Sequence, residues 1–113
     1  MHELAITQGI IDIVSSEARD KGFERVLEIK LQVGEYSGLV PECIMEFFPI
    51  AAKGSVAENA LLNIETLKAQ FKCLDCGYEG DADRKNACCP QCRSTALKMT
   101  VGREFYVDSL KVE

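Results

Sequence analysis

With 113 residues, 47% of them hydrophobic and 27% charged, the chain has the size and composition of one folded domain, and its three prolines argue against extended disorder. The net charge of −5 lies in residues 1–70, where six Lys and Arg face eleven Asp and Glu; residues 71–95 balance four against four and 96–113 three against three. Such a balance argues against nucleic-acid binding, which draws its affinity from neutralised phosphates; no apolar run nears the roughly 18 residues of a membrane span, and no secretory leader is visible, so a cytoplasmic protein without a membrane partner is expected.

From Glu3 to Lys21, Leu4, Ile10, Ile11, Val14 and Ala18 recur at helical spacing against Gln8, Asp12, Ser15, Ser16 and Arg19, and Gly22 stops the helix. Arg25–Val33 alternates Leu27, Ile29, Leu31 and Val33 with Glu28, Lys30 and Gln32, as a strand with one buried face does. Gly34 and Gly38 bracket a loop. Pro41 suits the first position of a second helix, whose apolar face holds Ile44, Met45, Phe47, Phe48 and Ala51 before Gly54.

Leu61–Phe71 reads as a strand in which Leu62 and Ile64 share one parity and Leu67, Ala69 and Phe71 the other, so a bulge or register change near Glu65 or Thr66 is expected. Beyond the cysteine-rich stretch, Leu97, Met99 and Val101 alternate again, Gly102 marks a turn, and Phe105–Val112 resumes strand character, returning the chain to the main sheet. The order implies an α+β fold: two helices on a small mixed or antiparallel sheet, with an inserted four-cysteine, zinc-ribbon-like lobe. Residues 1–70 with 96–113 form one expected domain and residues 71–95 the other.

The insert reads Cys73-Leu-Asp-Cys76 and, twelve residues on, Cys89-Pro-Gln-Cys92. Two residues between paired cysteines let one tight turn aim two sulfurs at one ion, and Gly77 and Pro90 favour such turns. Two turns complete a tetrahedron. Four thiolates leave no open position, so the expected ion is a structural Zn(II); mononuclear iron, a redox dithiol and unligated thiols are the competing readings. Cys88 is the spare beside Cys89, because Cys89–Cys92 keeps the two-residue turn. Cys43 fits a small buried hydrophobe.

His2 is the sole histidine. An α-amine at Met1, the amide nitrogen of residue 2 and the His2 imidazole can chelate one ion in small rings, with Glu3 or a partner completing a square-planar set suited to Ni(II) or Cu(II). By itself the pattern fits a solvated chain start as well.

Met1-His2-Glu3 opening a helix, Val33-Gly34-Glu35 ending a strand, Gly54-Ser55-Val56-Ala57-Glu58 after the second helix, and the two cysteine pairs together resemble the HypA/HybF family of hydrogenase nickel-incorporation proteins over the whole chain. The resemblance implies a metallochaperone, not an enzyme, that carries transient Ni(II) at Met1, His2 and Glu3 to the [NiFe]-hydrogenase large-subunit precursor with the maturation GTPase HypB. It implies structural Zn(II) on Cys73, Cys76, Cys89 and Cys92, and a monomer or weak homodimer is expected. The alternative is a zinc-ribbon interaction or nucleic-acid-binding module in which His2 has no role. The lobe's balanced charge and its two aromatics, Phe71 and Tyr78, weigh against it.

Overall fold

A computed structural model describes residues 3–113. The elements in order are α1 (Glu3–Lys21), β1 (Val26–Gly34), α2 (Pro41–Ala52), β2 (Leu61–Leu67), β3 (Gln70–Cys73), β4 (Glu79–Gly80), β5 (Leu97–Val101) and β6 (Phe105–Val112).

Helix α1 buries Thr7, Ile10, Ile11, Val14 and Ala18, an i, i+3, i+4, i+7, i+11 stripe. Thr7 holds the place expected for Leu4, which is 51% exposed; the Thr7 hydroxyl donates to the Glu3 carbonyl oxygen at 2.5 Å, so its polar atom is satisfied inside the protein. At the far end Gly22 adopts φ +76° and its N–H bonds the Ala18 carbonyl at 2.9 Å, which ends the helix in the left-handed manner glycine favours.

Strand β1 is the centre of a three-stranded sheet ordered β2-β1-β6, parallel to β2 and antiparallel to β6. A parallel neighbour requires a crossover, and α2 lies within the connection from β1 to β2. Ile29, Leu31 and Val33 of β1, Ile10, Ile11 and Val14 of α1, Ile44, Phe48 and Ala52 of α2, and Leu62 of β2 form one core, so both helices cover the same face of the sheet. The opposite face carries ion pairs, Lys30 to Glu65 at 3.4 Å and Lys111 to Glu28 at 3.4 Å. At the start of β1 the expected parity fails: Val26 is buried and Leu27 is 41% exposed. A register shift between Val26 and Glu28 against β6 accounts for this, because one extra residue in a strand moves the following side chains to the other face.

The second sheet is ordered β4-β3-β5. The parity change expected near Glu65 or Thr66 is the mark of a strand that ends at Leu67; the chain leaves the first sheet through Lys68 and Ala69 and starts the second at Gln70. The expected return of Leu97–Val101 to the main sheet is corrected: these residues pair antiparallel with Gln70–Cys73, and only β6 rejoins β1. Alternation alone cannot tell which edge a strand joins. The fold is thus α+β, two helices on a small mixed sheet, beside a second sheet that carries the cysteine pairs.

The molecule measures 53 × 28 × 17 Å with a radius of gyration of 17.8 Å, against about 13 Å for a compact chain of this length. The two sheets therefore lie end to end, and the chain crosses between them twice, at 68–69 and 102–104. Three backbone hydrogen bonds close the junction: Gly34 N–H to Glu104 O at 2.7 Å, Glu35 N–H to Leu67 O at 2.9 Å, and Tyr36 N–H to Gly102 O at 2.6 Å. The backbones approach so closely that a Cβ on Gly34 would sit 2.3 Å from both C and O of Gly102. Glu35 adds a side chain to the seam, accepting from Arg84 Nη2 at 2.8 Å and from the Ala69 N–H at 2.9 Å.

Gly34→Ala must force the junction apart and is expected to lower stability by about 1–3 kcal/mol in urea unfolding, whereas Gly9→Ala, in a helix with no atom within 4 Å of the new Cβ, should raise it by about 0.5–1 kcal/mol. A titration provides a second check. The Arg84 guanidinium, and after it the Ala69 N–H, hold the Glu35 carboxyl at about 2, below its ordinary 4.5. The folded value is the lower one, so the contact contributes fully above the ordinary carboxylate range and is lost as pH falls through about 2. The Arg84 side-chain N–H resonances should hold their positions on acidification past 4.5 and move only near 2, and Glu35→Gln should abolish that late step.

Candidate metal centre

Cys73 ends β3, so strand pairing fixes the first sulfur, and the chain turns at once through Leu74 and Asp75 to present Cys76. Gly77 follows at φ +80° with its N–H on the Cys73 carbonyl at 3.0 Å. The second turn repeats this geometry without a glycine: after Cys89, Pro90, Gln91 and Cys92, Arg93 takes φ +66° and its N–H bonds the Cys89 carbonyl at 2.9 Å. A left-handed arginine is strained. It is held by the Asp83 carboxylate, which accepts from Arg93 Nη1 at 3.0 Å.

The two turns bring the sulfurs of Cys73, Cys76, Cys89 and Cys92 within 4.8 Å of one another. Cys73 Sγ lies 3.5 Å from Cys92 Sγ, and Cys76 Sγ 3.7 Å from Cys89 Sγ. Four sulfurs around a zinc ion at bonds of about 2.3 Å have edges of about 3.8 Å. The donor set therefore fits a tetrahedral, thiophilic ion, and four protein sulfurs complete its coordination. Cys73 and Cys89 are buried, while Cys76 and Cys92 face solvent.

Backbone N–H groups point at the inner sulfurs: Cys76 N–H to Cys73 Sγ at 3.5 Å, and Gln91 and Cys92 N–H to Cys89 Sγ at 3.4 and 3.5 Å. Such donors stabilise thiolate over thiol. The Cys76 N–H, the largest contribution, outweighs burial at Cys73 and brings that thiol down to about 7 from 9.0.

Several supporting residues gave no signal in the spacing of the cysteines. Ser94 donates to the Asp75 carboxylate and so ties the second turn to the first. Asp83 accepts from the N–H groups of Lys85 and Asn86 at 3.1 and 3.2 Å, shaping the loop that leads to the second pair. Its Asx-turn pattern, Asp followed by polar residues, was the one local clue. Cys88 stands apart from the sulfur cluster; it is buried, pairs through its backbone with Asp83, and has Arg93 Nη1 and Asp83 Oδ2 each 4.0 Å from its sulfur. Cys43 is half-buried on α2.

Of the residues expected to bind nickel, Met1 and His2 lie outside the described residues. Glu3 is described: it opens α1 and is 7% exposed.

Elemental analysis of protein purified under reducing conditions should find about one zinc per chain in Cys88→Ser and far less than one in Cys89→Ser. Chelation of the metal should strip hydrogen-exchange protection from the amides of β3 and β5 while Ile29 and Leu31 keep theirs, because metal binding and folding of the lobe are one event.

A family model described as "Hydrogenase/urease nickel incorporation, metallochaperone, hypA" matches residues 1–112. The chain is 37% identical to the hydrogenase maturation factor HypA of Chlorobium limicola, covering all of this chain and 97% of the relative. It is 38% identical to HypA 1 of Bradyrhizobium diazoefficiens, with full coverage of both, and 36% identical to HypA of Methanocaldococcus jannaschii, covering 100% and 98%. Among solved structures, that of the Ni metallochaperone HypA from Helicobacter pylori superposes with a TM-score of 0.71 at 23% identity, over 99% of this chain and 97% of the other, which speaks to the fold alone. A helix-covered mixed sheet joined to a four-cysteine lobe, matched end to end by the family and by its curated members, places this chain in the HypA family of nickel-incorporation metallochaperones.

Proposed function

We propose that the chain carries Ni(II) at Met1, His2 and Glu3 and delivers it to the [NiFe]-hydrogenase large-subunit precursor, acting with the GTPase HypB, while Zn(II) stays permanently on Cys73, Cys76, Cys89 and Cys92. Membership of a nickel-incorporation family over residues 1–112 carries this reading. The cysteine site supports it by elimination. A closed set of four sulfurs holds its ion through every bond it can make, so a delivered ion must sit elsewhere.

The N-terminal donors have the opposite character. An amine, an amide nitrogen and an imidazole suit the planar preference of Ni(II), leave a position for Glu3 or for a receiving protein's ligand, and release the ion without dismantling a fold. Carriage and transfer of a metal need no general base or bound nucleophile, so we assign the chain no catalytic step and GTP hydrolysis to the partner. The division of labour follows the two sheets: α1, β1, α2, β2 and β6 form the nickel unit, and β3, β4, β5 with the two cysteine turns form the zinc unit. A cytoplasmic site of action fits the absence, among the described residues, of any helix long and apolar enough to cross a membrane.

Nickel titration tests the proposal with zinc as the internal control. The protein with an unmodified N-terminus should bind about one Ni(II). His2→Ala, and separately an N-terminal extension that converts the amine to an amide, should each weaken nickel binding by roughly tenfold or more, since each removes one donor from the chelate. Zinc content should stay unchanged in both. Equal nickel affinity in all three proteins would overturn the assignment.

A further inference from the structure

Among the ion pairs of the described residues, one joins the cysteine lobe directly to the helix-covered sheet. Glu35 follows the last residue of β1, and Arg84 lies in the loop between the cysteine pairs. The contact is bidentate: Arg84 Nη1 to Glu35 Oε2 at 2.5 Å and Nη2 to Oε1 at 2.8 Å. The Arg84 guanidinium carbon lies 5.9 Å from the centre of the Tyr36 ring, and its Nη1 lies 3.4 Å from the Tyr36 hydroxyl. A neighbouring pair, Lys68 to Asp81 at 3.1 Å, joins a crossing segment to the lobe.

Three features distinguish the Glu35 contact from an ordinary surface pair. Its geometry is the fork-to-fork arrangement that fixes direction as well as distance. Its carboxylate also accepts from the Ala69 N–H at 2.9 Å, in the first of the two crossings, so one side chain grips both the lobe and the pivot. Arg84, finally, is covalent neighbour to Asp83, whose carboxylate holds Arg93, the residue after Cys92. Arg84 is thereby tied through its neighbour Asp83 to the turn that carries Cys92.

The pair is also openable. The side chains of Arg84 and Glu35 are 38% and 31% exposed, so water reaches the pair and salt screens it. We propose that Glu35 and Arg84 form a latch that sets the orientation of the cysteine lobe against the helix-covered sheet, and that opening it lets the lobe pivot as a rigid body about the crossings at 68–69 and 102–104. The latch does not depend on the nickel assignment. It requires only that the lobe keep its own fold, which its metal provides.

Nuclear spin relaxation on the full-length, zinc-loaded chain tests this. In the unaltered protein the amides of β1 and of β5 should report one common tumbling. In Arg84→Met and in Glu35→Gln, which keeps an acceptor for Ala69, the β5 amides should tumble faster than those of β1, and high salt should produce the same decoupling without substitution. Hydrogen exchange at the Ala69 N–H should rise roughly tenfold in Arg84→Met as local opening becomes easier. One zinc per chain and unchanged protection in β3 show that each variant's lobe is folded. Common tumbling in both single variants, or independent tumbling already in the unaltered protein, would overturn the latch.

Discussion

Ile29, Leu31 and Val33 are withdrawn from water because β1 has a strand on each side and both helices over one face. Every other element of the larger sheet is placed by reference to it. Strand β2 pairs in parallel and so needs α2 as its crossover; β6 pairs antiparallel after the chain has built a whole second sheet between. The strand also ends at the seam. Gly34, with no side chain, lets the backbone of Gly102 pass at a distance that any Cβ would forbid, and Glu35 then reaches across to the lobe. Core, crossover and inter-sheet geometry thus all depend on the ten consecutive residues Val26–Glu35.

The cysteine lobe solves a different physical problem. Its strands are only 4, 2 and 5 residues long, and small units of this kind commonly draw on a metal for folding free energy. Its polar contacts are arranged accordingly: N–H groups favour charged sulfur, Asp83 restrains Arg93, and Ser94 joins the turns. An ion held for this purpose must not leave. The proposed function accordingly gives the cargo a second, shallower site at Met1, His2 and Glu3 and none in the lobe.

Much of this was readable from the amino acids. Two C-x2-C pairs bring four sulfurs together because a two-residue turn is a local constraint, indifferent to the surrounding fold. The periodicities placed both helices and the strands around Ile29 and Leu62. What escaped was non-local or fine-grained. Thr7 sits on the buried stripe with its hydroxyl satisfied by its own helix while Leu4 faces solvent; Val26 and Leu27 exchanged faces at a bulge; and β5 joined β3, since alternation records which face is buried and carries no information about the partner strand. The parity change along Leu61–Phe71 was a true signal whose cause is a change of sheet. Arg93 at positive φ was invisible, because a strained arginine looks like any other until the turn that requires it is known.

The end-to-end placement of the two sheets bears on how the protein behaves in a sizing column. A radius of gyration of 17.8 Å is what a compact chain of roughly twice this length would have. Retention volume follows hydrodynamic dimension and not mass, so a single chain of 12.5 kDa elutes ahead of a compact chain of the same mass. Its stoichiometry is therefore a question for light scattering or sedimentation equilibrium, which weigh the particle regardless of its outline.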